Sequence, residues 1–415
     1  MGTTRLLCLA VTLLAVAASV CAQDHSSSEE VILRSQLSEK GNPDAALPTD
    51  EIIRRHGYPS ETHHVTTEDG YVLTMHRIPR GRNSSGPGGK RPVVFLQHCL
   101  LCSSAVWVFM GPENGLAFIL ADQGFDVWMG NARGNEYSRR HISLDPKKTK
   151  FWNFSWNEMG YYDLPAEFDY ILSLTGQPKL SYVGHSMGTT MFFAMGASRP
   201  EYNTRIRAMH ALAPVAFVGK MESPIELIAP LLAQSNWIAN MLGLDEFLPS
   251  SDLMHFLGKV ACEDGAIVQP LCTNILFLLS GYDSAQLNTT TLPVITGHLP
   301  AGSSTKTVIH YAQGCLTDDF RLYDYGWIGN LKRYGSMKPP KYDLGLVTAP
   351  VNLHYSSNDW LANVKDVKKL ADKLPNLKKM ILVPDPKFNH LDYLLAINVR
   401  SVLYDSLVQM LKNEA

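Results

Sequence analysis

The stretch Tyr182-Val183-Gly184-His185-Ser186-Met187-Gly188-Thr189-Thr190 constrains the fold of this chain more than any other. Apolar residues lead into a Gly-x-Ser-x-Gly pattern, and small residues follow it. That layout suits a strand, a sharp turn and a helix, with the serine at the tip of the turn. Only glycine-sized neighbours avoid clashes in so tight a bend. The Ser186 Oγ is expected to project above a sheet, where the helix N-terminus favours developing negative charge. Five residues match by chance in many chains, so the weight lies in what surrounds them.

Strand and helix signals alternate on both sides of this turn. Tyr71 to Ile78 alternates like a strand, and Val93 to Leu96 is a short continuous apolar run, as in a buried strand. Phe125 to Trp128, Ser181 to Val183, Val351 to Tyr355 and Met380 to Val383 read as further strands. Leu164 to Leu174 and Lys365 to Leu374 have helical spacing. Strands separated by helices imply an α/β fold with a mostly parallel sheet covered on both faces. Residues 217–341 break the rhythm with apolar stretches at helical spacing, such as Ile225 to Leu242. They are expected to form a largely helical cap inserted between core segments 49–216 and 342–415.

Composition excludes some partners. The chain has 415 residues and a formal net charge of -2. No clustered basic stripe of the kind that binds nucleic acid is present. Lys365, Lys368, Lys369, Lys373, Lys378 and Lys379 alternate with acids and apolar residues, as on a solvated helix face. Residues 1–22 read as a secretory signal: Arg5, an apolar stretch from Leu6 to Val20, then Val20-Cys21-Ala22 at a small-residue cleavage site. That apolar stretch is short for a membrane span, and no later one resembles a span. Residues 23–48 are polar and read as a mobile tail or removable pro-segment.

The secretory route permits disulfides. Beyond the signal remain Cys99, Cys102, Cys262, Cys272 and Cys315. Cys262 and Cys272 flank a short loop and are the disulfide candidates. Cys99 and Cys102 have CxxC spacing but no second CxxC or His pair to support zinc, and are read as buried thiols. Asn83, Asn153 and Asn288 head glycosylation sequons.

A serine hydroxyl needs an adjacent base, and the base needs an orienting carboxylate. After Ser186, the order expected on this layout is acid, then histidine, each following a late strand. Asp359 follows Val351 to Tyr355, and His390 follows Met380 to Val383. His298, His310 and His354 are competing bases, and Asp385 and Asp392 competing acids. Acyl transfer also needs two donors for the tetrahedral oxyanion. The backbone N–H of Met187 is one candidate. The N–H of Leu100, in Gln97-His98-Cys99-Leu100-Leu101 after an early strand, is the other.

Assembled, these residues resemble the acid lipase family, which includes gastric and lysosomal acid lipases. The resemblance runs from about Asp50 to Leu411. It is carried further by Gly70-Tyr71, by Asp126 to Asn135, by Phe151-Trp152 with Phe154-Ser155, by Tyr162 to Ala166, by Tyr323 to Gly326, by Asn358-Asp359 and by His390-Leu391-Asp392. It implies an α/β-hydrolase core, a cap with a lid and no cofactor or metal. It also implies hydrolysis of neutral-lipid esters at a lipid–water interface, with triad roles for Ser186, Asp359 and His390. The Cys262–Cys272 pair resembles the family's cap disulfide. Three positions depart from the pattern. The family's His-Gly-Leu is His98-Cys99-Leu100 here, Val106 replaces an acidic residue, and Met187 stands where glutamine is frequent. Triacylglycerols are the expected substrate, with steryl or short-chain esters as the alternative. Cys99 keeps open a further alternative, a lipid-binding chain with weak or no turnover. The destination is the extracellular space or a digestive lumen, or else the lysosome.

Overall fold

One twisted sheet organises the molecule. The computed structural model describes residues 42–83, 90–234, 245–248, 280–281, 283 and 286–415. Its strands are β1 (Glu61–Thr66), β2 (Tyr71–Ile78), β3 (Val93–Gln97), β4 (Asp126–Met129), β5 (Arg140–His141), β6 (Leu180–His185), β7 (Ile206–Leu212), β8 (Glu246–Phe247), β9 (Ser303–Ser304), β10 (Val351–Tyr355) and β11 (Leu377–Leu382). The helices used below are α1 (Leu116–Asp122), α2 (Leu164–Thr175), α3 (Met187–Ser198), α4 (Thr305–Thr317), α5 (Gly326–Tyr334), α6 (Val364–Ala371) and α7 (Asp405–Glu414).

The main sheet has the order β1-β2-β4-β3-β6-β7-β10-β11, with β5 on β2 and β8 paired separately with β9. From β4 to β11 every pairing is parallel, whereas β1, β2 and β5 pair antiparallel. This is the α/β-hydrolase fold. Parallel strands point the same way, so the loops after β3, β6, β10 and β11 leave from one edge of the sheet. Active sites in open α/β sheets gather at that edge.

Burial follows the two-residue period of a strand. Val94 and Leu96 of β3 pack with Phe118 of α1 and Leu407 of α7, while Val93 and Phe95 face Phe168 of α2 and Phe192 of α3. The second helix buries Leu164, Phe168, Ile171 and Leu172 at helical spacing and stops at Gly176, whose φ is 62°. By contrast, α3 is buried from Met187 to Ala197. A helix apolar all round belongs in the interior. Truncating a buried leucine such as Leu407 to alanine costs about 2–5 kcal/mol.

Three features differ from expectation. Residues 42–48, assigned to a polar tail, are packed. Asp44 is buried and paired with Arg55 at 2.6 Å and His56 at 2.8 Å, so its charge is compensated. The strands β1 and β7 carry polar residues, His63 and His64 or Arg207 and His210, that interrupt the apolar signal. Lys378 and Lys379 lie on the edge strand β11, not on a helix. Charged edges of this kind discourage pairing with another chain. No helix among the described residues is long and apolar enough to cross a membrane.

Candidate active site

Ser186 sits at the turn between β6 and α3 with φ 53° and ψ -114°, a conformation that side chains rarely adopt. The glycines around it permit the turn. A Cβ on Gly188 would lie 2.4 Å from the Gln97 carbonyl oxygen at the end of β3. One on Gly184 would meet the Gly188 backbone at 2.9 Å. The first turn of α3 therefore presses against the strand end that starts the loop at residues 98–102. Ser186 N–H donates to the Leu212 carbonyl at 3.0 Å, which ties the turn to β7.

The structure brings Ser186, His390 and Asp359 into one hydrogen-bonded line. The Ser186 Oγ lies 2.8 Å from His390 Nε2. His390 Nδ1 lies 2.9 Å from Asp359 Oδ2 and 3.0 Å from Oδ1. Asp359 Oδ1 also accepts the backbone N–H groups of Leu361 at 3.0 Å and Ala362 at 2.7 Å. Asp359 and His390 are buried, and Ser186 is half-buried. A carboxylate held by backbone donors and facing Nδ1 leaves Nε2 as the free base toward serine.

Neighbouring groups hold the histidine loop. His185, inside the Gly-x-Ser-x-Gly pattern, donates from Nε2 to the His390 carbonyl at 2.9 Å. Burial, and then the nearby His390, keep His185 well below the usual histidine range, hence neutral. The Ser280 carbonyl accepts both His390 N–H at 3.3 Å and Trp360 N–H at 3.4 Å. Gly281 fits beside it because a Cβ there would come within 2.2 Å of the Asn358 carbonyl oxygen. The segment at Ser280-Gly281 thus bridges the loops of the acid and the base.

The competing residues have other partners. His298 donates to the Asp44 carbonyl at 2.7 Å. His310 stacks on Trp156 with ring centroids 3.8 Å apart, and burial pushes it down to about 3. His354 lies in β10 against His210 at 3.1 Å. Asp385 accepts Lys387 N–H at 3.0 Å. Asp392 accepts Asn389 N–H at 2.7 Å. Burial, with Asp283, Asp385 and Asp359 nearby, pushes Asp392 up to about 8. A carboxyl that keeps its proton at neutral pH is a poor partner for an imidazolium.

The loop after β3 corrects one expectation. Cys99 and Cys102 are not separate thiols but a disulfide, with Cα atoms 5.3 Å apart. A turn brings them together: Cys102 N–H donates to the Cys99 carbonyl at 3.3 Å, and Leu101 has φ 61°. His98 Nδ1 donates to the Cys99 carbonyl at 2.7 Å, while its Nε2 accepts Ala132 N–H at 3.0 Å. Burial pushes His98 down to about 4, so it stays neutral and keeps Nε2 as an acceptor. Ala301 N–H holds the Leu101 carbonyl at 2.7 Å, and Asn135 Nδ2 holds the Cys102 carbonyl at 3.3 Å. The Cys99, Leu101 and Cys102 carbonyls are thus tied down. Among the described residues, Leu100 N–H and Met187 N–H have no acceptor. A buried Arg133 anchors the segment that grips His98, through Asp163 at 2.6 Å and Asp69 at 2.6 Å.

Known proteins resemble this chain in sequence and in fold. Residues 49–111 match the family described as partial alpha/beta-hydrolase lipase region, and residues 92–250 match alpha/beta hydrolase fold. The chain is 45% identical to Lipase 3 of Drosophila melanogaster over 88% of its own length and 92% of that protein's. It is 41% identical to gastric triacylglycerol lipase of Mus musculus, covering 90% and 93% of the two chains. The lysosomal acid lipase/cholesteryl ester hydrolase of Macaca fascicularis is 40% identical, covering 89% and 92%. The chain belongs to the acid lipase family. Its activity is that of a lipase, a carboxylic ester hydrolase acting on lipid esters. A solved candidate lipase from Sulfolobus solfataricus shares the fold, with a TM-score of 0.53, 13% identity, and coverage of 86% and 99%.

Other expected sites in this acid lipase fall as follows. Cys262 and Cys272 lie outside the described residues. Cys315 is half-buried and has no disulfide partner among the described residues. Asn83 and Asn153 are exposed, whereas Asn288 is half-buried and caps a short turn through Thr290 N–H at 3.1 Å. Val106 is buried in an apolar cluster with Ala105 and Trp107, which suits valine better than an acid. No group of histidines, cysteines and carboxylates among the described residues has metal-holding geometry. Sequence reasoning did not assign roles to His98, His185, Ser280 or Gly281. Only the first two carried a signal, by their positions within the two motifs.

Proposed function

We propose that this chain is a secreted serine lipase that hydrolyses triacylglycerols through an acyl-enzyme. The observation that carries the reading is the unbroken line from Ser186 Oγ to His390 Nε2 at 2.8 Å and from His390 Nδ1 to Asp359 at 2.9 Å. His390 Nε2 takes the Ser186 proton as Oγ attacks the ester carbonyl carbon. The oxyanion is received by the N–H groups of Leu100 and Met187. The C–O bond to the alcohol then breaks, and the imidazolium returns its proton to the leaving oxygen. Water enters, gives a proton to Nε2 and attacks the acyl carbon, which frees the fatty acid and restores Ser186. Asp359 holds the tautomer and stabilises the imidazolium without itself taking the proton.

Residues 217–341 serve as the cap over the lipid pocket in this reading, with the signal at residues 1–22 directing the chain to the secretory route. The gastric triacylglycerol lipase relatives support a triacylglycerol substrate. The test compares emulsified triacylglycerol, cholesteryl ester and a soluble short-chain ester with the purified enzyme. Preferred turnover of the emulsion is expected. Turnover confined to cholesteryl or soluble esters would replace the substrate. Lipid binding with no turnover would replace the enzyme with a carrier.

A further inference from the structure

The helix α5 is built inside out. Its inward side is polar. Asn330 is buried, takes Tyr325 N–H at 2.9 Å, and donates to Asp324 at 2.8 Å and to the Met337 carbonyl at 3.0 Å. Tyr334, one turn further on, donates to the Tyr323 carbonyl at 2.9 Å. The outward side carries Trp327, Ile328 and Leu331, which are 63%, 51% and 51% exposed, and Met337 just beyond the helix is 63% exposed. Trp327, Ile328 and Leu331 fall within an arc of about 100° on a helix of 3.6 residues per turn. Folding alone does not favour this arrangement, because apolar side chains gain free energy by leaving water. Single exposed apolar residues need no explanation, but a contiguous patch marks a surface that meets something.

Charge indicates what it meets. The segment from Gly326 to Lys341 contains Lys332, Arg333, Lys338 and Lys341 and no acid, within a chain of net charge -2. Lys341 is paired with Asp319, and Arg333 lies over Tyr325. Lys332 and Lys338 have no ion-pair partner among the described residues. A short helix with tryptophan and aliphatic residues on one arc and lysines beside it suits the plane of an anionic lipid surface. It is also joined to the proposed nucleophile by one helix. Lys306 of α4 donates to Tyr325 Oη at 2.8 Å, and Tyr311 of α4 donates to Thr190 at 2.9 Å, four residues after Ser186.

We propose that the segment from Gly326 to Lys341 docks the enzyme on a lipid–water interface bearing negatively charged headgroups. The inference rests on the lipase reading, and its test is independent of turnover. The full chain carrying Ser186→Ala is mixed with phosphatidylcholine vesicles, either pure or containing about one-third phosphatidylglycerol, and co-sedimentation is measured. Trp327→Ser with Leu331→Gln is expected to weaken binding to the anionic vesicles about tenfold or more. Lys332→Glu with Lys338→Glu is expected to remove the preference for anionic over neutral vesicles. Both pairs are exposed, so the fold is kept. On the Ser186 enzyme, they are expected to leave turnover of a soluble short-chain ester unchanged. Vesicle binding unaltered by both pairs overturns the proposal. So does a dimer that Trp327→Ser with Leu331→Gln dissociates while vesicle binding stays the same, since the patch then belongs to a second copy. Failure of the lipase reading itself shows separately, as absent ester turnover by the Ser186 enzyme.

Discussion

The line of Ser186, His390 and Asp359 and the loop at residues 98–102 serve one reaction in the proposed mechanism but are held differently. Each member of the line hangs from the end of a parallel strand and is fixed mainly by backbone groups, with the His185 side chain added at His390. Leu212 holds the serine, Ser280 the histidine, and Leu361 with Ala362 the aspartate. The loop would act through backbone N–H groups, yet it is held mostly by side chains, the Cys99–Cys102 disulfide, His98 and Asn135, with Ala301 N–H as the backbone exception. In one region side chains would do the chemistry and the backbone positions them. In the other those roles are largely exchanged. Substitutions should therefore act as a near-complete loss in the first and as graded loosening in the second.

The largest effect expected is from Ser186→Ala. It should lower kcat by roughly 10⁴–10⁶-fold with an unchanged melting temperature, because the nucleophile and its base act as one unit. Substantial residual turnover would break the comparison at its firmer side. Next is Asp359→Asn, which keeps the shape but offers His390 the wrong tautomer. It should cost about 10⁴-fold in kcat. Steady-state kinetics on a soluble ester reads both.

In the loop, Cys99→Ser with Cys102→Ser should lower kcat on a soluble ester by about 10- to 100-fold and leave KM unchanged, as for partial loss of one oxyanion donor. Cys99→Gly with Cys102→Ser should recover much of that loss, because glycine is the residue the family pattern places after His98. An unchanged kcat in the serine pair would mean that His98 and Ala301 hold the loop alone.

Outside both regions, Asp392 gives the smallest effect on activity and a clear one on stability. Its carboxyl keeps its proton up to about pH 8 in the folded protein, against 3.8 when unfolded. A raised folded value contributes stability that is complete below the unfolded value and is lost as pH rises toward 8. Asp392→Asn removes the titration. It should match wild type near pH 4 and exceed it by roughly 5 kcal/mol at pH 8 in chemical denaturation. Wild-type activity on a soluble ester should persist in this variant. A collapse of turnover would promote Asp392 to the acid of the line.

How each region reads in sequence follows from the same contrast. The meeting of Ser186, Asp359 and His390 was legible because strand-end loops deliver them in a fixed order, and β2 and β10 were legible to the residue from their apolar patterning. The disulfide was not, because CxxC spacing does not reveal a turn with Leu101 at positive φ. Ser280 and Gly281 stand about eighty and one hundred residues from the loops they bridge, and no local pattern marks such a contact. The strand β7 escaped notice because His210 is buried there by pairing with Glu414 at 3.0 Å and with His354, so a polar residue occupies a core position. Asp44 is the same case at the edge of the polar tail, since its ion pairs cannot be read from composition.

The most direct test of the central claim is labelling of the purified protein by a fluorophosphonate serine probe, beside Ser186→Ala and a known lipase as control. The account predicts one label per chain, borne by Ser186 and absent from the variant. Equal labelling of the variant, or none of the folded wild type under conditions where the control reacts, would contradict it.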